Sequence, residues 1–219
     1  MSKKNLSCTD CKVRSCYLDK DGIFPEFCVT KKTDESLLKS TIDEYVDPSS
    51  FDGKIAHIAA EIEGEFYGKL TRVEETVVFA KRLGAKKVGI ASCVGLINEA
   101  NAFSKVLHAN DIEYKGIICK VGGQDKTEMN LPDEKKVIPG RHESMCNPLL
   151  QARLLNEEKT DLNIIIGLCV GHDSIFIRHS EAPVTTLIVK DRVLGHNPAA
   201  CLYAMDFYYS RLNKGLKDK

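Results

Sequence analysis

The chain has 219 residues, and its 31 basic side chains balance its 31 acidic ones. This balance gives no electrostatic reason to expect nucleic acid or an anionic membrane as a partner. No apolar run approaches the roughly 20 residues of a membrane helix, and no apolar stretch follows the basic N-terminus as it would in a signal peptide. We therefore expect a cytoplasmic protein whose partner is a small-molecule substrate or a redox partner.

Hydrophobic periodicity is absent from residues 1–32, and these residues contain four of the nine cysteines. We predict a small four-cysteine metal-binding module over 1–32 and an α/β domain over 33–219. The first predicted helix covers 34–46. A later helix begins after Thr71, which forms a capping box with Glu74, and ends at Gly84.

Strands and helices alternate from residue 87 onwards. The predicted strands are 87–92, 114–118, 162–168 and 184–189, and the predicted helices are 96–109, one from Asn147, 172–180 and 197–212, with a long loop over 121–146. Short apolar strands separated by helices indicate a parallel sheet covered on both faces. The predicted fold class is therefore α/β, with a doubly wound, Rossmann-like and mostly parallel sheet.

The N-terminal cysteines have a spacing typical of a metal site. Two, four and eleven residues separate Cys8, Cys11, Cys16 and Cys28. A Cys-x2-Cys pair places two thiols on one turn, and two further cysteines complete a four-thiolate site for zinc or for a [4Fe-4S] cluster. In so short a segment, ligation would supply most of the folding free energy. We predict metal binding here, with an iron–sulfur cluster preferred and zinc as the alternative.

Three later cysteines follow predicted strands. Cys93, Cys119 and Cys169 each stand at or just after the carboxyl end of a strand. In open parallel sheets, ligands bind in the crevice beyond these ends. The three thiols are therefore expected at one edge of the sheet, where they would bind a cofactor.

Two further cysteines lie at predicted helix starts. Cys146 precedes Asn147-Pro148, and Cys201 lies in the first turn after His196-Asn197-Pro198; an Asn-Pro pair is typical of a helix N-terminus. The positive end of a helix favours the thiolate, which is the form that binds metal. We add Cys146 to the predicted cofactor site, whereas the alanines around Cys201 also fit simple helix packing.

Two histidines are candidates for acid–base chemistry. His172 follows Cys169 by three residues, and His196 precedes the last predicted helix. In an iron–sulfur protein, His172 would act as a proton donor near the cluster. In the alternative of a metal-independent thiol enzyme, Cys169 or Cys146 would be the nucleophile and His172 or His196 the base. A third alternative is a non-catalytic module with a structural zinc.

Several strings of the second half carry a family resemblance. They are Cys146-Asn147-Pro148, then 167–173 (GLCVGHD), 182–187 (APVTTL), Asp191-Arg192 and His196-Asn197-Pro198. Together with the N-terminal cysteines, they resemble an uncharacterised family of prokaryotic proteins, frequent in anaerobes, that is labelled metal-binding (domain of unknown function 1847). The resemblance implies metal binding and no particular reaction. From the residues themselves we expect an iron–sulfur protein of redox or sulfur chemistry, either an oxidoreductase or a sulfur-transfer enzyme.

Overall fold

The structure, a computed structural model, describes residues 6–18 and 22–215. The chain divides into two compact units, residues 1–60 and 61–219. Within the described ranges, no helix is long and apolar enough to cross a membrane.

The first unit is helical in its described part. After a 3-10 turn at Cys8–Asp10 come α1 (Ser15–Leu18), α2 (Val29–Lys32) and α3 (Glu35–Val46), and α4 (Phe51–Phe66) begins in this unit. The side chain of Asp34 accepts a hydrogen bond from the Ser36 amide at 2.8 Å and caps α3. The helix predicted over 34–46 is therefore confirmed to within one residue.

The second unit contains the α/β fold, and its first complete helix is α5 (Arg72–Leu83). Thr71 and Glu74 form the predicted capping box. Gly84 ends the helix at a φ of 79°, in the left-handed region that glycine adopts without strain. Local cap chemistry alone predicts both ends of this helix.

Four parallel strands form a single sheet. They are β1 (Lys87–Ser92), β2 (Glu113–Ile118), β3 (Leu162–Ile166) and β4 (Val184–Ile188), in the order β2-β1-β3-β4. The chain moves outward from β1 to β2 and then returns to the other side of β1. This reversal creates a crevice between β1 and β3, at the carboxyl ends of the strands. The predicted α/β class and parallel sheet are confirmed.

Helices connect the strands and flank the sheet. They are α6 (Ile97–His108), α7 (Pro148–Glu157) and α8 (His172–His179). α6 packs on β1 and β2, and α7 packs on α8 and the same two strands. Because crossovers between parallel strands are right-handed, the reversal at β1 places α6 and α7 on opposite faces. The sheet core is fully buried and includes Val88, Ile164, Ile166, Leu155 and Phe176.

The end of the chain differs from the prediction. The helix predicted over 197–212 is wrong beyond its first turns: α9 covers Ala199–Tyr203, and a 3-10 segment follows at Ser210–Lys214. Tyr203, Phe207 and Tyr208 are 79–89% exposed. Most helical stability in proteins comes from packing an apolar face against the rest of the fold. These aromatic side chains stay exposed and do not supply that packing.

Candidate functional site

Two cysteines continue the strands of the sheet. The Cys93 amide donates to the Ile166 carbonyl at 3.0 Å, and the Cys119 amide donates to the Ser92 carbonyl at 2.8 Å. The ladder therefore runs one residue past β1 and past β2. Both residues are buried, at 7% and 2% exposure. Cys93 and Cys119 therefore lie at the carboxyl ends of two neighbouring strands with a fixed register.

Cys146 reaches the same edge at the end of the loop over 121–146. The Asn147 amide donates to the Cys119 carbonyl at 2.8 Å, so the loop closes beside the residue after which it began. The Asn147 side chain accepts from the Leu150 amide at 2.9 Å, and Pro148 is the first residue of α7, as predicted. Cys146 thereby stands next to Cys119.

The loop is held together by a buried lysine. The Lys136 ammonium lies 2.7 Å from Asp125 and 2.8 Å from Asp133, and it donates to the Arg141 carbonyl at 3.1 Å. This ammonium holds the pKa of Asp125 well below its usual range, and the amides of Thr127 and Glu143 lower it further. The loop is therefore an ordered excursion that fixes where Cys146 returns.

The thiols of Cys93, Cys119 and Cys146 form a row in which each shifts the pKa of its neighbour, with Cys119 in the middle. Hydrogen bonding with Cys146 and with Cys93, followed by burial, raises the pKa of Cys119. The same hydrogen bonds are the largest cause that lowers the pKa of Cys93 to about 4 and that of Cys146 to about 5. The row therefore favours ionisation of its two outer thiols over ionisation of Cys119.

Backbone amides and lysines stabilise the two thiolates. The Gly95 amide lies 3.4 Å from the Cys93 sulfur, and the Lys190 side chain lowers the pKa of Cys93 further. Lys120 acts in the same way on Cys146, to which the charge of His172 also contributes. His172 is thus placed near the thiols, and its role as a proton donor stays a prediction.

The fourth thiol of this edge has a different partner. Arg192 Nη2 lies 2.9 Å from the Cys169 sulfur, and this contact raises the pKa of Arg192. The charges of Cys93 and Cys146 also act on the same guanidinium. All four thiols therefore lie around one set of cations, and we call Cys93, Cys119, Cys146 and Cys169 the crevice thiols.

A buried glutamine and a buried glycine fix the backbone around the crevice. The Gln151 amide nitrogen donates to the carbonyls of Ile117 at 2.7 Å and Ser92 at 3.2 Å, which ties α7 to the ends of β1 and β2. Gly167 has a φ of 64°, and a Cβ there would lie 2.7 Å from the Leu96 side chain. The chain therefore turns sharply after β3 in a space that only glycine fits.

The other predicted site residues lie in local structure. The His196 ring accepts a hydrogen bond from the Asp191 amide at 3.1 Å through Nδ1, and its own amide donates to the Asp191 carbonyl. The Cys201 thiol donates to the Pro198 carbonyl at 3.0 Å. These contacts close a turn and a helical turn, respectively; the catalytic role of His196 stays a prediction.

Sequence reasoning missed the cations. Lys120 follows Cys119 directly, and Lys190 and Arg192 lie two and four residues after β4 ends at Ile188. Their positions after strand ends are the same signal that identified the cysteines. Applied to basic residues as well, that rule would have found all three.

The N-terminal cysteines are more exposed. Cys8 and Cys16 are exposed, whereas Cys11 and Cys28 are partly covered. The Arg14 amide lies 3.4 Å from the Cys11 sulfur. The Lys31 amide is the largest cause of a lowered pKa at Cys28. Amides directed at two of the sulfurs are compatible with a four-thiolate site, which stays a prediction.

A comparison with known families now identifies the chain. The model for "Protein of unknown function (DUF1847)" matches residues 28–187. The chain belongs to the DUF1847 family. An uncharacterized protein of Methanocaldococcus jannaschii is 43% identical over 210 residues, which cover 96% of this chain and all of the relative. The resemblance inferred from the sequence is confirmed.

The segment matched by DUF1847 contains all four crevice thiols and Cys28, and it ends before Lys190 and Arg192. Within residues 6–18 and 22–215, no group of three or more His, Cys, Asp or Glu side chains is arranged to hold a metal ion. The crevice thiols offer the right donor atoms, but as a hydrogen-bonded row. Ligation would require the sulfurs of this row to turn toward a shared point.

Proposed function

We propose that this DUF1847 protein binds an iron–sulfur cluster through Cys93, Cys119 and Cys146 and serves redox or sulfur chemistry in the cytoplasm. The observation that carries the proposal is the placement of Cys93 and Cys119 on neighbouring strand ends, with Cys146 returned beside Cys119, at the carboxyl edge of the sheet. Two of these residues are buried at the crevice that doubly wound sheets use for ligands. Thiolates are the ligands of iron–sulfur clusters.

Backbone amides support this choice of ligand. The Val94 amide lies 3.4 Å from the Cys119 sulfur, and the Gly95 amide lies 3.4 Å from the Cys93 sulfur. Hydrogen bonds to ligand sulfurs adjust the reduction potential of a cluster. Only thiolates ligate, so binding would release the proton of Cys119.

The cations favour iron over zinc at this site. Lys120, Lys190 and Arg192 act electrostatically on the sulfurs, and they would stabilise an electron added to the centre. Zinc does not change its oxidation state, so a zinc site would gain no added electron for these cations to stabilise. Zinc remains the alternative, because three thiolates and an imidazole such as His172 form a zinc site. When bound, the cluster would supply electron transfer or a site for sulfur.

The N-terminal thiols extend the proposal to a second centre. Cys8, Cys11, Cys16 and Cys28 would hold a second cluster as an electron relay or, alternatively, a structural zinc. The spacing of these four residues and the amides directed at Cys11 and Cys28 support a four-thiolate site.

The test is purification without oxygen, followed by measurement of iron, zinc and acid-labile sulfide per chain with the visible spectrum. Wild type is expected to contain iron and sulfide. Cys119→Ser is expected to lose most of the iron and sulfide that the crevice thiols bind. Cys201→Ser is the matched control, because its thiol lies in α9 and donates to Pro198. Equal iron in Cys119→Ser and Cys201→Ser, or zinc alone in wild type, would overturn the iron–sulfur proposal.

A metal-independent thiol enzyme is the second candidate, and one observation favours it. The pKa of Cys93 is lowered to about 4 and that of Cys146 to about 5, which favours the nucleophilic thiolate form of both. In metal-free protein, one of them should then react with iodoacetamide well before the N-terminal thiols. Equal reactivity of all accessible cysteines would count against this candidate.

A further inference from the structure

The crevice thiols fall into a row of three and a separate fourth. Backbone hydrogen bonds place Cys93 and Cys119 on neighbouring strand ends and Cys146 beside Cys119, whereas the Cys169 sulfur lies 2.9 Å from Arg192 Nη2. A guanidinium donates to sulfur most strongly when the sulfur is a thiolate. The fold thus places a guanidinium directly against the Cys169 sulfur, outside the row of three thiols.

We propose that Cys169 and Arg192 form the substrate-facing pair of this site, and that the substrate is a small organic anion. Arg192 would bind its acid group and bring the rest of the molecule into contact with Cys169. The inference rests on the proposed metal centre, whose protein ligands it limits to Cys93, Cys119 and Cys146. Cys169, which the sequence suggested as a fourth ligand, is instead the thiol that meets the substrate.

Charge supports an anion. Three thiolates around Zn²⁺ leave one net negative charge, and three thiolates around a [4Fe-4S]²⁺ cluster leave the same. Lys120, Lys190 and Arg192 bring three positive charges to the site. Even with Cys169 as a thiolate, the cations exceed the negative charges. In the described part of the chain, neither Lys190 nor Arg192 forms an ion pair with a carboxylate.

Access supports the same pair. Arg192 is exposed, and Val170, the residue after Cys169, is 95% exposed. The buried Cys93 and Cys119 are 7% and 2% exposed. Arg192 uses one terminal nitrogen for Cys169, and a guanidinium has five N–H donors in a fork that matches a carboxylate. A small anion can therefore reach Arg192 from solvent and lie against the Cys169 sulfur.

The test compares two alkylating agents of similar size, the anion iodoacetate and the neutral iodoacetamide, on protein purified without oxygen. The rate at each cysteine is followed by peptide mass spectrometry, with Cys201 as the internal reference. The iodoacetate-to-iodoacetamide rate ratio at Cys169 is expected to exceed that at Cys201 by about ten-fold, because Arg192 concentrates the anion. Arg192→Met should reduce the ratio to that of Cys201, and Arg192→Lys should keep part of it.

Metal content distinguishes a failure of this inference from a failure of the proposed function. Cys169→Ser is expected to keep the metal of wild type. Loss of that metal, or protection of Cys169 from both reagents until the metal is removed, would show that Cys169 is a ligand and overturn the inference. Protein without any metal would refute the proposed function, and the rate ratio at Cys169 would still decide whether the pair recognises anions.

Discussion

The N-terminal thiols and the crevice thiols reach their positions by different routes. Four cysteines lie within one 21-residue segment, and their side chains are exposed or half-exposed: Cys8, Cys11, Cys16 and Cys28. Cys93 and Cys169 are far apart in sequence and come to one edge because β1 and β3 are adjacent. The first group can be recognised in the sequence from the spacing of its cysteines. The second group is brought together only by the pairing of strands in the sheet.

This difference has an energetic consequence. The N-terminal segment buries few apolar side chains, and its order would depend on what its thiols bind. The crevice thiols extend a sheet whose core is fully buried. The sheet therefore presents its thiols whether or not a metal is bound, whereas the order of the N-terminal segment would depend on the metal that we propose it binds.

Metal removal should cause the largest difference in backbone order between the N-terminal segment and the sheet. After chelation, we expect amides over 6–18 and 22–32 to lose their protection from hydrogen exchange, because ligation supplies their stability. Amides of β1 and β3 should stay protected. Hydrogen exchange followed by mass spectrometry measures both in one sample, and equal loss of protection in β1 would contradict the contrast.

A substitution within β1 should destabilise the sheet and leave the N-terminal segment unaffected. A Cβ at Gly89 would lie 1.9 Å from Asn163 Oδ1 and 2.9 Å from Leu155. Gly89→Ala is expected to lower the free energy of unfolding of the second unit by about 2–3 kcal/mol. Urea denaturation measures the change, and the N-terminal metal content should be unaffected.

Gly64→Ala is the matched control for that substitution. Gly64 lies in α4, and a Cβ there would have nothing within 4 Å. This change should raise stability by about 0.5–1 kcal/mol, because alanine favours a helix over glycine. A similar loss of stability in both variants would show that the close packing at Gly89 is not the cause.

The loop that returns Cys146 can be tested through its buried lysine. Lys136→Met would leave Asp125 and Asp133 without the cation between them, so the loop should open more often. In metal-free protein we expect Cys146 to be alkylated faster, by about ten-fold. The adjacent Lys135→Met, at an exposed position, is the control and should change nothing.

A further expected effect is on the pH dependence of stability in metal-free protein. The pKa values of Cys93 and Cys146 are lowered to about 4 and 5 in the folded chain. Because the unfolded chain then binds more protons, stability should be fully present above about pH 9 and fall as pH drops toward 5. Cys119, whose pKa is raised, is protonated in both states below about pH 7.5 and opposes the trend only above that pH, where the unfolded chain loses this proton.

The urea midpoint at pH 5.5 and at pH 8.5 measures this effect. The higher pH should give the higher midpoint in wild type and in Cys201→Ser. The double variant Cys93→Ser, Cys146→Ser should show a smaller difference. An unchanged difference in the double variant would indicate that other groups cause it.

The sequence predicted those parts of the fold that depend on local signals. β1 was predicted at its observed bounds, and the caps at Thr71, Gly84 and Asn147 are all found in the structure. The same Asn-Pro pattern at Asn197 failed to predict a long helix. At that position the later residues, such as Phe207, stay exposed, so no packing extends α9.

For the proposed site, the sequence pointed to the thiols and not to the cations beside them. The placement of Cys93 and Cys119 follows from strand ends alone, so the sequence sufficed. The pairing of Arg192 with Cys169 joins positions 23 residues apart and depends on the turn after β4. Which of the thiols contact one another depends on strand order, and the sequence pattern does not determine that order.

The central claim is that the sheet, and not the N-terminal segment alone, binds an iron–sulfur centre. The most direct test is a full-length variant with Cys8, Cys11, Cys16 and Cys28 all changed to serine, purified without oxygen and analysed for iron and acid-labile sulfide. We predict that it keeps iron, sulfide and visible absorption, and that a further Cys119→Ser change removes them. A colourless, iron-free variant with a folded sheet would contradict the claim.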